Sequence, residues 1–225
     1  MFLLVLAAIL WVAVHVGIAG TVVRARLVAR LGEGGFRIAY SAVSLLAIYA
    51  LVAAWNAADT TPLWTAGPAL RWLLALLMLP AILLFVASVA GRNPTAVGQE
   101  GALAAGPRGI FRITRHPMLW SFALWAAIHV AGNGDSAAVV FFGAFLVTAL
   151  LGMPSIDAKL AARRPDAWPA FRQATSILPF GAILAGRQRL ALAEIGWIVP
   201  AIALVLWAAL LHVHRHVFGV SAVLL

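Results

Sequence analysis

The stretch Leu70–Ala90, LRWLLALLMLPAILLFVASVA, carries one charged residue, Arg71, among apolar side chains. An α-helix needs about 20 such residues to cross the hydrocarbon core of a membrane. Similar blocks recur along the chain, which is 64% hydrophobic and 10% charged, whereas soluble domains are about 25% charged. A soluble protein of this composition could not cover its surface with polar groups. The sequence therefore predicts an all-α fold, a polytopic transmembrane helix bundle.

The apolar blocks predict six spans within one transmembrane domain that occupies residues 1–225. The first span is interpreted as a retained helix, not a secretory signal, because no Lys or Arg precedes it. Between the fourth and fifth spans, Gly132-Asn133-Gly134-Asp135 is typical of a turn and favours a tight helical hairpin. The spans are placed at Phe2–Val23, Ile38–Trp55, Leu70–Ala90, Met118–Ala131, Ala137–Pro154 and Ile195–Leu211.

The basic residues predict the orientation of this bundle. All but two of the 16 Lys and Arg residues fall in the loops after the first, third and fifth spans, the exceptions being Arg71 and Arg215. Cytoplasmic loops carry an excess of Lys and Arg, so both termini are expected outside the cytoplasm. The net charge of +9 is interpreted as contact with membrane lipid and not with nucleic acid.

The segment Ser155–Arg189 is long and amphipathic, with aromatic and aliphatic residues interleaved among charged ones. Pro165 and Pro169 break any single helix through it. The pattern predicts a segment that lies on the cytoplasmic membrane surface and caps the bundle.

Three histidines lie within predicted spans or at the end of one, where they are candidate functional residues. His15 lies inside the first span, His129 near the outer end of the fourth, and His116 at the cytoplasmic end of the fourth. An intramembrane polar residue is a functional candidate, or it joins helices by hydrogen bonding. Two imidazoles from different helices suit six-coordinate haem b iron, and without cysteine the haem could only be non-covalent. The sequence permits this site at His15 and His129, although their expected depths differ by roughly 9 Å.

The densest motif in the chain is Gly109–Pro117, GIFRITRHP, which ends in Arg115-His116-Pro117. Pro117 restricts His116 to extended backbone and begins the helix, so Arg115 and His116 are held at a helix N-terminus that favours an anionic group. The alternatives are a site for a headgroup, carboxylate or propionate, and an ordinary basic loop beside the membrane.

Asp135 is expected to cap the fifth span or to bond a histidine. Another histidine cluster is interpreted as an interfacial polar tail: His212, His214 and His216.

Two stretches of the sequence resemble the NnrU family of membrane proteins. They are FRITRHPMLWSFALWAAIHVAGNGD at Phe111–Asp135 and MPSIDAKLAARRPDAWPAFRQATSILPF at Met153–Phe180. The earlier LGEGGFRIAYSAVSLLA, at Leu31–Ala47, fits the same family, so the resemblance covers about Leu4–Phe180. The family includes plant and cyanobacterial cis-zeta-carotene isomerases. It is named for bacteria in which it accompanies nitrite and nitric oxide respiration.

The resemblance implies a haem b between helices, with His15 and His129 as the iron ligands. His116 then either lies behind the iron ligands or faces the substrate. Arg115 and His116 are the expected catalytic residues, and the substrate is expected to be a hydrophobic small molecule. The implied function is isomerisation of a polyene or a role in denitrification, in a bacterial inner membrane.

A broader similarity is to membrane methyltransferases that use S-adenosylmethionine on prenylcysteine or phospholipid. This alternative leaves His15 and His129 unexplained. A third alternative is a non-catalytic membrane scaffold in which the histidines join helices. The elements that match the methyltransferases in outline are Arg115-His116-Pro117, Asp157, Trp168, Phe171 and Leu178-Pro179.

Overall fold

A computed structural model describes residues 1–18, 22–96 and 98–223. The predicted all-α fold is confirmed, since these ranges contain no β-strand beyond an isolated bridge between Pro62 and Asp135. A π-helical turn, Ala13–Ile18, continues the first helix. The α-helices in these ranges are α1 (Phe2–Val12), α2 (Val22–Asn56), α3 (Pro68–Val89), α4 (Pro117–Asn133), α5 (Ser136–Arg163), α6 (Trp168–Ala174), α7 (Gly181–Leu184) and α8 (Ile198–Phe218).

Four of these helices, α2, α3, α5 and α8, are long and apolar enough to cross a membrane, and Phe2–Ile18 forms a shorter apolar helix. The chain is thus a polytopic membrane protein. Helices α3 and α4 begin and end within two residues of the predicted spans. The count of six spans, the single domain and the orientation stay predictions.

The region between the first two predicted spans differs from the sequence prediction. It was expected to be a basic loop. The structure shows a helix there instead, since α2 already begins at Val22. Gly32 interrupts α2 with φ 71° and ψ 166°, a conformation that glycine adopts without steric cost. Arg24 and Glu33 pair at 2.6 Å across this interruption. The first predicted span, Phe2–Val23, includes residues 19–21, which lie outside the described residues.

Helix α5 extends nine residues beyond its predicted end at Pro154, to Arg163. Pro154 is therefore inside the helix, and Asp157 lies in its last turns. The interruption expected from Pro165 and Pro169 is confirmed, because α5 ends before the first proline and α6 begins with the second in its first turn.

The chain divides into two compact units. The first unit comprises Met1–Ala66 and Ala126–Ser155, and the second comprises Gly67–Trp125 and Ile156–Leu225. The core of the first unit is rich in small residues, which allow helices to approach closely. It is formed by Leu4, Ala7, Ala8, Leu51, Ala137 and Ala144.

The second unit contains two buried apolar clusters. One is formed by Leu84, Ile110, Phe111 and Ile113. The other takes three residues from Ser155–Arg189, the segment expected on the membrane surface. Trp168 and Phe171 are 3% and 2% exposed, so they are core residues of this unit, and the position of the segment at the membrane surface stays a prediction. This second cluster consists of Leu103, Leu160, Trp168 and Phe171.

The turn between α4 and α5 folds as the sequence predicts. Oδ1 of Asp135 accepts a hydrogen bond from the backbone N–H of Ala138 at 2.8 Å, so the predicted cap of the fifth span is confirmed. Oδ1 of Asp135 also accepts from the Thr60 hydroxyl at 2.8 Å. Gly134 has φ 72°, and its carbonyl accepts from the backbone N–H of Trp64 at 3.0 Å.

Candidate functional site

The Arg-His-Pro element enters α4 from a 3-10 turn, Gly109–Arg112, and Pro117 begins the helix as predicted. Thr114, which is fully buried, holds this entry in place. Its hydroxyl donates to the Ile177 carbonyl at 2.7 Å, and its oxygen accepts from the backbone N–H of His116 at 3.3 Å. The backbone on both sides of Arg115 is thereby fixed.

Arg115 and His116 share one carboxylate, that of Asp157. Nη2 of Arg115 lies 2.6 Å from Oδ2, and Nε lies 3.0 Å from both carboxylate oxygens. Nε2 of His116 lies 2.8 Å from Oδ1. The side chains of Arg115, His116 and Asp157 are only 7%, 0% and 14% exposed. The two predicted catalytic residues are therefore brought together by an acid that lies on another helix.

The other ring nitrogen of His116, Nδ1, is buried and has no hydrogen-bond partner within the described part of the chain. An ionised carboxylate only accepts hydrogen bonds, so Nε2 carries the proton towards Asp157. A buried nitrogen without a partner costs about 1–3 kcal/mol. Buried groups without a partner include atoms with a catalytic role, and such a role for His116 stays a prediction.

The chain that follows α6 closes the site. Its carbonyls at Thr175 and Ser176 accept from Nη1 of Arg115 at 3.3 Å and from the backbone N–H of Arg115 at 3.0 Å. The Ile177 carbonyl accepts from the indole N–H of Trp120 at 2.8 Å. In addition, the guanidinium of Arg115 lies 5.7 Å from the ring centre of Trp168, within the range of a cation–π contact.

An open cleft of about 310 Å³ lies beside this site. It is lined by residues 175–178 and by three arginines, Arg115, Arg172 and Arg187. The anion-binding character expected of the Arg-His-Pro element is therefore shared with arginines that the sequence did not single out.

His15 lies in the π-helical turn of the first unit, and such turns often occur at functional sites. Nδ1 of His15 lies 2.9 Å from the Trp11 carbonyl. Because a carbonyl only accepts, Nδ1 is the donor, and Nε2 keeps its lone pair. Histidines that bind metals commonly have this arrangement.

His129 lies in the same unit, and its ring stacks on Phe142 with centroids 4.7 Å apart and planes inclined by 27°. A chain of aromatic contacts connects His129 to His15, with successive centroids 3.8 to 5.3 Å apart. The donor types here, two imidazoles among apolar and aromatic side chains, are those that haem b accepts. The rings that connect the two histidines are, in order, Phe142, Phe141, Phe145 and Trp11.

The C-terminal histidines lie on α8, and His212 and His216 have ring centroids 6.4 Å apart. Across residues 1–18, 22–96 and 98–223, no group of three or more His, Cys, Asp or Glu residues could hold a metal ion. The interpretation of the cluster as an interfacial polar tail stays a prediction.

The sequence prediction did not assign Asp157 as the partner of Arg115 and His116, and it did not single out Arg172 and Arg187. One signal was available for Asp157. The chain has only 7 Asp and Glu residues against 16 Lys and Arg, so an acid beside apolar residues is expected to bind a buried cation.

Comparisons with known proteins agree with the resemblance in the sequence. The sequence model of the NnrU family, described as NnrU protein, matches residues 3–222. The 15-cis-zeta-carotene isomerase, chloroplastic, of Zea mays is 28% identical over 194 residues, which are 83% of this chain and 52% of that protein. The protein of the same name from Arabidopsis thaliana is 34% identical over 80 residues, 36% of this chain and 22% of that protein. The chain thus spans about half the length of the maize relative, and no solved structure matches it significantly.

Proposed function

This chain belongs to the NnrU family, and we propose from this premise that it is a membrane isomerase that converts a cis double bond of a polyene to trans, with haem b as its cofactor. The similarity to two 15-cis-zeta-carotene isomerases supports the reaction class. The observation that carries the cofactor is the hydrogen bond from His15 to the Trp11 carbonyl, because it leaves Nε2 as a ligand.

His15 and His129 would hold the haem iron. Haem b supplies a redox-active iron when it is bound. The Trp11 carbonyl orients the imidazole of His15, and Phe142 supports that of His129. The aromatic rings in contact with the two histidines exclude water, and they offer flat apolar faces on which a conjugated polyene can stack.

Isomerisation adds no atom to the polyene and removes none, so the site needs no proton donor in the overall reaction. The assignment of Arg115 and His116 as catalytic stays a prediction. Their shared contact with Asp157 also supports a structural role, in which the pair locks the start of α4 against α5.

The absorption spectrum of the detergent-purified protein, expressed with haem supplied, tests the cofactor. A Soret band is expected. Replacement of either ligand, in His15→Ala or His129→Ala, is expected to shift or remove the band, whereas His212→Ala on the polar tail leaves it unchanged. A protein without a Soret band, or a spectrum unchanged in both ligand variants, contradicts the proposal.

The reaction is tested separately, with 15-cis-zeta-carotene in liposomes that contain the protein. Chromatography of the extracted polyene is expected to show loss of the 15-cis isomer with wild type and His212→Ala, and not with His15→Ala. If a haem-loaded protein leaves the isomer ratio unchanged, the chain is not an isomerase of this substrate.

A methyltransferase is the second candidate, because Arg115, His116, Asp157 and Trp168 lie together. These are the residues that resemble the S-adenosylmethionine site of membrane methyltransferases. Transfer of a labelled methyl group from S-adenosylmethionine to membrane lipid would favour it. A role in nitrite and nitric oxide respiration, and a location in a bacterial inner membrane, stay predictions from the family resemblance.

A further inference from the structure

The cleft beside Arg115 has an excess of positive charge. Three guanidinium groups, those of Arg115, Arg172 and Arg187, line it, and none of its described lining residues is acidic. The remaining lining residues, 175–178, contribute hydroxyl, backbone and apolar groups. The cleft is therefore suited to an anion.

The three arginines differ in how their charges are compensated. Arg115 is neutralised by Asp157 at 2.6 Å. Arg187 donates through Nη1 to the carbonyls of Gln173 and Thr175, the latter at 3.1 Å, and these acceptors are neutral. Arg172 is exposed, and its guanidinium makes no hydrogen bond or ion pair with the described residues. Two positive charges are thus available to a ligand.

Large apolar side chains are exposed beside these charges. Leu178 lines the cleft and is 63% exposed, while Phe180 and Leu184 are 46% and 85% exposed. Phe180 is held firmly, because its backbone N–H donates to the Ile113 carbonyl at 2.8 Å. Exposed apolar side chains next to cations are typical of a surface at the boundary between lipid headgroups and acyl chains.

We propose that this cleft binds the phosphate of an anionic phospholipid, with Arg172 and Arg187 as the principal donors. Arginine pairs well with phosphate because its N–H groups match two phosphate oxygens at once. Leu178, Phe180 and Leu184 would enter the acyl-chain boundary while the phosphate occupies the cleft. The proposal is independent of haem and of isomerase activity.

Native mass spectrometry of the protein in neutral detergent tests this site, with phosphatidylglycerol and phosphatidylcholine of identical acyl chains added. Wild type is expected to retain phosphatidylglycerol preferentially. Arg172→Gln is the informative variant, since the guanidinium of Arg172 makes no hydrogen bond with the described residues that the substitution could break. Its affinity for phosphatidylglycerol is expected to fall about fivefold, the effect of one basic residue near an anionic surface. Arg189→Gln makes the same charge change at an exposed residue outside the cleft and is expected to have little effect.

Three outcomes overturn the proposal. The first is equal retention of the two lipids by wild type, and the second is equal loss in the two variants, which indicates a general effect of charge. The third is displacement of phosphatidylglycerol by water-soluble glycerol phosphate at matched concentration, because the ligand is then a soluble phosphate ester. Equal unfolding temperatures of wild type and Arg172→Gln confirm that lost binding does not reflect lost folding.

Discussion

Nε2 of His116 donates a hydrogen bond to Oδ1 of Asp157 at 2.8 Å, across 41 positions of sequence. The contact joins the residue before α4 to the last turns of α5. Because Arg115 binds the same carboxylate, one acidic side chain anchors both Arg115 and His116. The strength of this anchor can be measured.

Replacement of the acid, Asp157→Asn, is expected to destabilise the protein by about 3 kcal/mol. The change keeps the size of the side chain but leaves the buried Arg115 cation without a counter-charge. The free energy of unfolding in mixed micelles measures the effect. Asp166→Asn is the matched control, because Asp166 also pairs with an arginine, Arg164, but is 64% exposed and is expected to show no measurable change. Equal stability of the two variants would mean that Asp157 is not the anchor.

Thr114→Val tests how the chain after α6 is held over the site. The variant removes the hydroxyl that donates to the Ile177 carbonyl. The expected loss is about 1–3 kcal/mol, because Ile177 keeps its second donor, the indole of Trp120, whereas the buried backbone N–H of His116 loses its acceptor. Thr148→Val serves as control, since the Thr148 hydroxyl donates only to Ala144 one turn back in its own helix. A loss no greater than that of the control would show that the hydroxyl of Thr114 does not fasten this segment.

Gly134→Ala is expected to disrupt the turn between α4 and α5. A Cβ atom at this position would lie 2.2 Å from the Trp64 carbonyl oxygen, and the residue has φ 72°. The expected loss in the free energy of unfolding is at least about 2 kcal/mol. Gly143→Ala in α5, whose Cβ would meet nothing within 4 Å, is expected to leave stability unchanged or slightly higher. A neutral Gly134→Ala variant would contradict the close approach of Trp64.

The ion pair between Glu194 and Arg112 in the second unit is expected to make the stability of the protein depend on pH. The hydrogen bonds from Arg112, followed by that from the backbone N–H of Gly109, lower the pKa of Glu194 from 4.5 to about 2. A carboxyl with a lowered pKa contributes stability above its unfolded pKa of 4.5, and the contribution is lost as the pH falls towards 2. The difference in unfolding temperature between wild type and Glu194→Gln is expected to shrink over this interval. A difference that stays constant would contradict the assignment.

The candidate site was partly predictable from the sequence. Pro117 determines where α4 begins, so the placement of Arg115 and His116 at its N-terminal end followed from local geometry. Asp157 lies in the segment Ser155–Arg189, which the sequence predicts on the membrane surface. Its role depends on α5 continuing through Pro154 to Arg163, which the proline rule does not favour. Tertiary packing offsets the free energy that the helix loses because Pro154 has no N–H to donate.

Local signals in the sequence determined that this protein is an all-α membrane protein with a hairpin capped by Asp135. Hydropathy and turn chemistry act over a few residues, and the sequence displays them directly. Only the tertiary structure decided that Arg115 and His116 share Asp157, that Trp168 and Phe171 are buried, and that three arginines line one cleft. Contacts between residues about 15 to 70 positions apart depend on how the helices pack, and the spacing of residues in one chain does not specify that packing.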